Sequence, residues 1–335
     1  MRKKYKKLTK IEEKELINLY LTGKYQIIDL IPIFNVCRQS INNVLIKNKI
    51  EIRQNWKYYC NFDFFKKIDT EAKAYFLGLL YADGNVSLNK NIMQISLQDG
   101  DKHILEQFKS SMNANYPITS FQPKGERRQK QNYFRVCSPK IKTDLIKLGC
   151  IPAKSLILKF PTPEQVPDHL IHHFMRGYFD GDGGIKHRDS IPVSFMICGT
   201  KNFCSKYQKI LINNCNLNCV KLSKNKKIFE LNYGGIHSLN RIYDFLYRDA
   251  TIYLNRKYNL FQIIKQNQIK FKILDIKNNN IIIVTNLQEF AIDNNCHLSN
   301  LYKTLKGDRG HHHGFKLIKI INPTVRLLTP QAAPA

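Results

Sequence analysis

Acidic residues are scarce in this 335-residue chain: 26 Asp and Glu stand against 53 Lys and Arg, a formal net charge of +27 at pH 7. The imbalance runs along the whole length, which excludes a small acidic substrate as its reason, because that would need only a local patch. A long polyanion touching several modules fits, since each cation placed on a phosphate releases a counterion. Long apolar runs are missing too. None approaches the roughly 18 to 20 residues of a membrane span, so no membrane partner is expected. The opening MRKKYKKLTK leads into a charged amphipathic stretch where an export signal would have its apolar core. Metal-type cysteine spacing is also lacking. Nine cysteines (Cys37, Cys60, Cys137, Cys150, Cys198, Cys204, Cys215, Cys219 and Cys296) lie among apolar neighbours and read as reduced, buried thiols of a protein that is not secreted. Only Cys215 and Cys219 stand close, with no second pair at zinc spacing. What is present, 43% hydrophobic and 11% aromatic residues, suffices for packed cores and excludes a disordered basic tail protein.

Three short helical patterns run over 11–20, 27–34 and 38–48, with Val36 and Cys37 at a tight turn. This is the layout of a helix-turn-helix, whose last helix would present Arg38, Gln39, Ser40, Asn42 and Asn43 to base edges and phosphates. The alternative is a small helical bundle with solvated Asn and Lys. A connector over 56–70 follows.

The central region nearly repeats itself. AYFLGLLYADGNVS (74–87) matches HFMRGYFDGDGGIK (173–186), so that Gly78 and Gly177, Asp83 and Asp182, and Gly84 and Gly183 share one offset. Alternating strands, MQISLQD and VSFMICGT, precede helical stretches at 102–112 and 201–213. Basic turns come next, with Lys124, Arg127, Arg128 and Lys130 in one and Lys221, Lys224, Lys226 and Lys227 in the other. Each half closes on a helix and a Lys-bearing stretch, IPAKSLILKF and YLNRKYNLF. The fold class is therefore α+β, two αββαββα repeats in tandem, pseudo-symmetric and flanked by small modules. The expected domains are 1–57, 58–165, 166–264, a C-terminal module at 265–321 with a second helix-turn-helix-like pair, and a disordered tail at 322–335.

Small residues four apart, Gly78 with Ala82 and Gly177 with Gly181, put a notch on each repeat helix and let two backbones pack closely. Gly84 and Gly183 are expected to end those helices with a positive φ. Asp83 and Asp182 then share the last turns, where the negative end of the helix dipole and mutual repulsion oppose them. A divalent cation held between the two carboxylates would offset both and serve phosphodiester hydrolysis. The alternative, two Gly-Asp turns at helix ends, does not explain why the same succession occurs twice.

FLGLLYADG (76–84) and MRGYFDGDG (175–183) resemble the paired signature helices of single-chain LAGLIDADG homing endonucleases, over roughly residues 70–264. The resemblance implies two saddle-shaped sheets in consecutive major grooves of double-stranded DNA, Asp83 and Asp182 as the metal-binding catalytic pair, and Mg²⁺ as cofactor with Mn²⁺ able to substitute. It also implies one basic residue per half, for which Lys154 and Lys257 are the positional matches and Arg256 competes with Lys257. Asp180 aligns with the family's earlier Asp, and Tyr81 replaces it in the first motif. The flanking modules resemble the DNA-binding modules appended to phage and bacterial members. A monomer is expected because both halves lie in one chain, located in the cytoplasm or an organelle.

Without splicing junctions at either end, a free-standing or intron-encoded enzyme is expected. His311, His312 and His313, being consecutive, cannot easily share one ion and are expected in a polar loop near phosphate. Two other functions use the same scaffold: an RNA-splicing maturase, with intron RNA as partner, and a non-cleaving DNA-binding regulator. Intact acids argue against the regulator, which would gain nothing from two carboxylates facing phosphates.

Overall fold

A computed structural model describes residues 7–22, 24–25, 27–52, 58–123, 125, 129–188, 191–266 and 268–321. The chain divides into two units, 1–59 and 60–335. In the first, α1 (Lys10–Leu21), α2 (Ile27–Phe34) and α3 (Arg38–Lys47) follow the apolar spacing. Thr9 and Glu12 form a capping box that starts α1 by satisfying two end amides. Asn35, in the left-handed region at φ 51°, turns α2 into α3. Buried Leu16, Tyr20, Leu30, Phe34, Val36 and Ile41 hold the three helices together.

The second unit contains the duplication. Its first half runs α4 (Glu71–Ala82), β1 (Gly84–Val86), β2 (Ile92–Gln98), α5 (Lys102–Ser111), β3 (Ile118–Phe121), β4 (Gln131–Cys137) and α6 (Pro139–Lys147). Its second runs α7 (Ile171–Asp182), β5 (Gly183–Arg188), β6 (Ile191–Gly199), α8 (Lys201–Cys215), β7 (Ser223–Asn225), β8 (Ile228–Gly234) and α9 (Ile236–Leu246). A further helix, α10 (Asn255–Gln266), follows the second half, where the first has a single 3₁₀ turn at Lys154–Leu156. Both sheets are antiparallel with matching orders, β1-β2-β4-β3 and β5-β6-β8-β7.

Strand alternation puts Met93, Ile95, Leu97, Phe134 and Val136 on the inner face of the first sheet. Phe76 stacks on Phe108 at 4.3 Å, joining α4 to α5, and Phe179 stacks on Phe195 at 4.7 Å, joining α7 to β6. Between the two sets lie α4 and α7, buried around nearly their whole circumference from Ala74 to Tyr81 and from Ile171 to Asp180, with His172, His173, Arg176 and Asp180 the buried polar residues of α7. The segment expected as a connector also belongs to this core in part. Phe64, Phe65 and Ile68 are buried, with Phe65 edge-on to both Phe64 and Phe108.

The C-terminal module carries β9 (Lys270–Asp275), β10 (Asn280–Val284), α11 (Leu287–Asp293), α12 (Leu298–Lys306) and β11 (Phe315–Ile321), with strand order β10-β9-β11. Ile273, Leu287, Phe290, Leu301 and Leu317 form its core. The expected tail, 322–335, lies outside the described residues. Among those residues no helix is long and apolar enough to cross a membrane.

Three expectations need correction. Cys60, Cys150, Cys204 and Cys215 are buried, but Cys137 and Cys219 are exposed, the former because it alternates onto the outer face of β4. His312 lies in the polar loop between α12 and β11, as expected, but its ring is not solvated there; it is 4% exposed and its Nε2 accepts from the His297 amide at 2.9 Å. Gly84 and Gly183 do not take a positive φ, Gly183 lying at −99°. The chain passes directly from helix into strand, and a Cβ would come within 2.5 Å of the Leu80 carbonyl oxygen at 84 and of the Phe179 carbonyl oxygen at 183. Glycine is required there by that close approach and not by backbone handedness.

Candidate active site

The two repeat helices meet at their glycines. A Cβ on Gly78 would strike the Phe174 carbonyl, and one on Gly177 the Tyr75 carbonyl. The next backbone atoms met are the Tyr178 amide nitrogen for Gly78 and the Leu79 amide nitrogen for Gly177, the same two contacts displaced by the repeat offset. One turn further on, a Cβ at Gly181 would touch Ala82 Cβ and lie 3.1 Å from Asp83 Oδ2. The small-residue notches on Gly78, Ala82, Gly177 and Gly181 thus bring the helix ends together, and with them Asp83 and Asp182.

Asp83 caps α4 and Asp182 is the last residue of α7. Both are open to solvent on one side, with protein packed around the rest. Partial desolvation pushes the Asp83 carboxyl up to about 6, and repulsion by Asp182 adds to it, while Lys257, Lys154 and Arg256 pull the other way. Asp182 is raised as well, again by desolvation first, with Lys154 and Lys257 opposing.

Beneath each aspartate lies one buried ammonium. Lys154, 8% exposed, donates to the Gly84 carbonyl. Lys257, 5% exposed, donates to the carbonyls of Phe179 at 2.5 Å, Asp180 at 2.8 Å and Gly183 at 2.6 Å. Those are end carbonyls of α7, which carry the negative pole of the helix and want a cation. Desolvation lowers Lys257 to about 8 against the pull of Asp180. Arg256 faces elsewhere: its Nε pairs with Asp101 Oδ2 at 3.1 Å at the start of α5, and half its side chain is exposed. Lys257 is the residue packed under the carboxylates.

Each lysine-bearing segment also touches the opposite half. Arg256 reaches Asp101 of the first half, and the Thr200 hydroxyl of the second donates to the Leu158 carbonyl of the first at 2.6 Å. At the far end of the helix pair, Arg176 is fully buried and donates to Glu71 Oε1 at 2.6 Å, Leu246 O at 2.7 Å and Ile252 O at 2.9 Å. None of these links shows in a linear sequence, because each joins residues more than 40 positions apart.

The paired carboxylates suit a hard divalent cation. No group of three or more His, Cys, Asp or Glu among the described residues is arranged to hold a metal ion, so an ion held by Asp83 and Asp182 would complete its shell with water and phosphate oxygens, as Mg²⁺ commonly does.

The remaining candidates scatter over the surface. In α3, Arg38, Gln39 and Asn43 are exposed, and Gln39 Nε2 donates to Asn43 Oδ1 at 2.9 Å; Ser40 sits 3.2 Å from Cys37 Sγ, and Asn42 is half-buried. Lys224 lies on β7, and Lys226 and Lys227 form the two-residue turn to β8, all exposed. Lys130 is exposed and 3.5 Å from Asp99 Oδ1. Lys124, Arg127 and Arg128 lie outside the described residues.

The outer faces of the two sheets were not read from the sequence. On the first, Gln94 pairs across the strands with Arg135 and Ser96 with Tyr133; Arg135 Nε donates to Gln94 Oε1 at 2.7 Å and its guanidinium lies 4.9 Å from the Tyr133 ring centre. On the second, Met196 pairs with Asn232 and Cys198 with Glu230. Period-2 alternation in QNYFRVC and MQISLQD is the signal that could have found the first set.

No family model matches the chain, and no curated protein matches it. Among solved structures it is similar to the I-SmaMI LAGLIDADG homing endonuclease bound to cleaved DNA (14% identity over 60% of this chain and 89% of that one, TM-score 0.40) and to the homing endonuclease I-GzeII in complex with its DNA target (16%, 60% and 89%, TM-score 0.40). It is also similar to the LAGLIDADG meganuclease I-AabMI bound to uncleaved DNA (12%, 57% and 91%, TM-score 0.36). At these scores the similarity carries no functional argument; the paired aspartates and their buried lysines do.

Proposed function

We propose that this chain is a LAGLIDADG-type homing endonuclease, hydrolysing phosphodiesters of both strands at a long, specific site on double-stranded DNA. The observation that carries this reading is the close placement of Asp83 and Asp182 at the ends of two interlocked helices, each above a buried lysine. An enzyme of opposed halves suits a substrate of two opposed strands, with one carboxylate serving each.

Asp83 and Asp182 would hold Mg²⁺ or Mn²⁺, which when bound stabilises charge on phosphate oxygens and acidifies a bound water. The chain's own groups do the rest. Lys154 Nζ and Lys257 Nζ stand in place before substrate arrives and offset the negative charge gathered by two carboxylates and a phosphate. Across the flanking surfaces, Arg135 and Gln94 have the donor and acceptor groups that read base edges in a major groove. Lys130, Lys224, Lys226 and Lys227, all exposed, would contact phosphates, which set register without reading sequence. Arg38, Gln39 and Asn43 at the exposed start of α3 fit the same role in a helix-turn-helix, and the basic C-terminal module would extend the footprint. Both halves in one chain favour a monomer.

The test is cleavage of a library of candidate insertion-site duplexes by the purified protein with Mg²⁺, beside Asp182→Asn and an EDTA control. A defined double-strand cut, lost in both controls, is expected. Tight nucleic-acid binding with every duplex left uncut would overturn the reading and move a splicing maturase or a DNA-binding regulator ahead.

A further inference from the structure

The two halves hold their lysines by different means. In the first, Tyr81 stands at the motif position two residues before the aspartate, and its hydroxyl donates to the Leu148 carbonyl at the end of α6. In the second, that position is Asp180, which is 1% exposed. Asp180 Oδ2 accepts from the Tyr75 hydroxyl at 2.8 Å and from the Leu254 amide at 2.9 Å. Leu254 opens α10, since its carbonyl accepts from the amides of Lys257 and Tyr258, each at 3.0 Å. A buried carboxylate on α7 therefore fastens the first turn of α10 one helical turn before Lys257.

We propose that Asp180 is a positioning residue for Lys257: by accepting the Leu254 amide it fixes the start of α10, and through it the seat of the Lys257 ammonium on the end of α7. The first half has no counterpart, because Tyr81 donates a hydrogen bond where Asp180 accepts two. Loss of Asp180 should release Lys257 and leave Lys154 in place. The proposal rests on the reading of Lys257 as the second half's catalytic cation only in its cleavage consequence; its structural consequence is measured separately.

The test is reductive methylation with formaldehyde, read lysine by lysine by peptide mass, on the full chain carrying Asp180→Ala, Asp180→Asn or Tyr75→Phe. Wild type should protect both Lys154 and Lys257. Asp180→Ala should raise labelling of Lys257 about 10-fold with Lys154 unchanged, because an ordered buried ammonium becomes free to leave its seat. Asp180→Asn keeps an acceptor for the Leu254 amide and should retain protection, as should Tyr75→Phe, which leaves the Leu254 contact whole. Unchanged Lys257 labelling in Asp180→Ala, or equal exposure of Lys154, would overturn the proposal. Should Asp180→Ala not fold, exposure of Lys257 in Asp180→Asn or Tyr75→Phe overturns it equally. Strand-resolved cleavage adds the functional arm. Asp180→Ala should slow the strand that Lys257→Met slows, by about 100-fold for a displacement of an ångström or so, and spare the other. Equal slowing of both strands counts against positioning. A wild type that cuts nothing sinks the endonuclease reading while the labelling result still stands.

Discussion

The two halves of the central unit share a chain path and differ in their surfaces. Both present an aspartate, a buried lysine and a sheet of the same strand order. The outer face of the first sheet carries Arg135 in contact with both Gln94 and Tyr133, whereas that of the second carries Met196, Cys198, Glu230 and Asn232. The first lysine sits on a single 3₁₀ turn; the second rides on α10 and holds three carbonyls. At the crossing point itself the packing tolerates no divergence, because any side chain on Gly78 or Gly177 meets a carbonyl. Surface residues have no such neighbour and are free to diverge.

The largest expected effects break the symmetry at the carboxylates. Asp83→Asn or Asp182→Asn should each abolish double-strand cleavage while leaving DNA binding intact, with nicking confined to one strand; gel analysis of end-labelled duplexes distinguishes the strands, and full cleavage by either variant would refute the site. Next come the lysines. Lys257→Met should slow one strand by about 100-fold, the scale for losing a charge-stabilising group in a closed site, and Lys154→Met should slow the other. Slowing of the same strand by both would show that the halves do not divide the labour.

At the seam, Gly78→Ala or Gly177→Ala should destabilise the second unit by about 3 kcal/mol, the upper range for overpacking, as read by urea denaturation. Equal losses from the two would sharpen the equivalence of the notches. On the surfaces, Arg135→Ala should relax base preference at one position by about 1–3 kcal/mol, and Asn232→Ala by less, in competition binding against single-base variants.

The smallest effect is on stability. Asp83 is raised in the folded state, so the fold binds more protons there than the unfolded chain does between roughly pH 4 and 6. Its contribution is present in acid and lost as pH climbs through about 6. Without metal, Asp83→Asn should therefore melt higher than wild type at pH 7.5. After discounting for solvent screening of an exposed group the gain is about 1 kcal/mol, or about 3 °C. The gain should vanish near pH 4. An Asp83→Asn variant that melts lower at pH 7.5 would show that desolvation and repulsion do not dominate there.

Much of this was legible in the chain. Helix spacing in 11–20, 27–34 and 38–48 is a local property of apolar periodicity, and the structure returns those helices to within a residue or two. The duplication was legible because repeated motifs carry their own register, and it placed Asp83 and Asp182 together before any coordinate did. Other features were not. Choosing Lys257 over Arg256 needs the direction in which α10 enters, set by Asp180 on another helix. Phe64 and Phe65 look like linker residues until Phe108 arrives from about forty positions away. The reason for glycine at 84 and 183 is not legible either, since a glycine required by close approach and one required by positive φ read alike in sequence.

Apolar period, charge balance and the repeated glycine-aspartate motif are written in near neighbours along the chain, so composition and spacing alone establish a basic, duplicated α+β protein with one acid per half. The lysine seats, the link from Asp180 to Leu254 and the Arg176–Glu71 tie depend on groups that meet only after the helices cross. They were decided by tertiary packing, because hydrogen bonds and desolvation act between neighbours in space, wherever those neighbours lie along the chain.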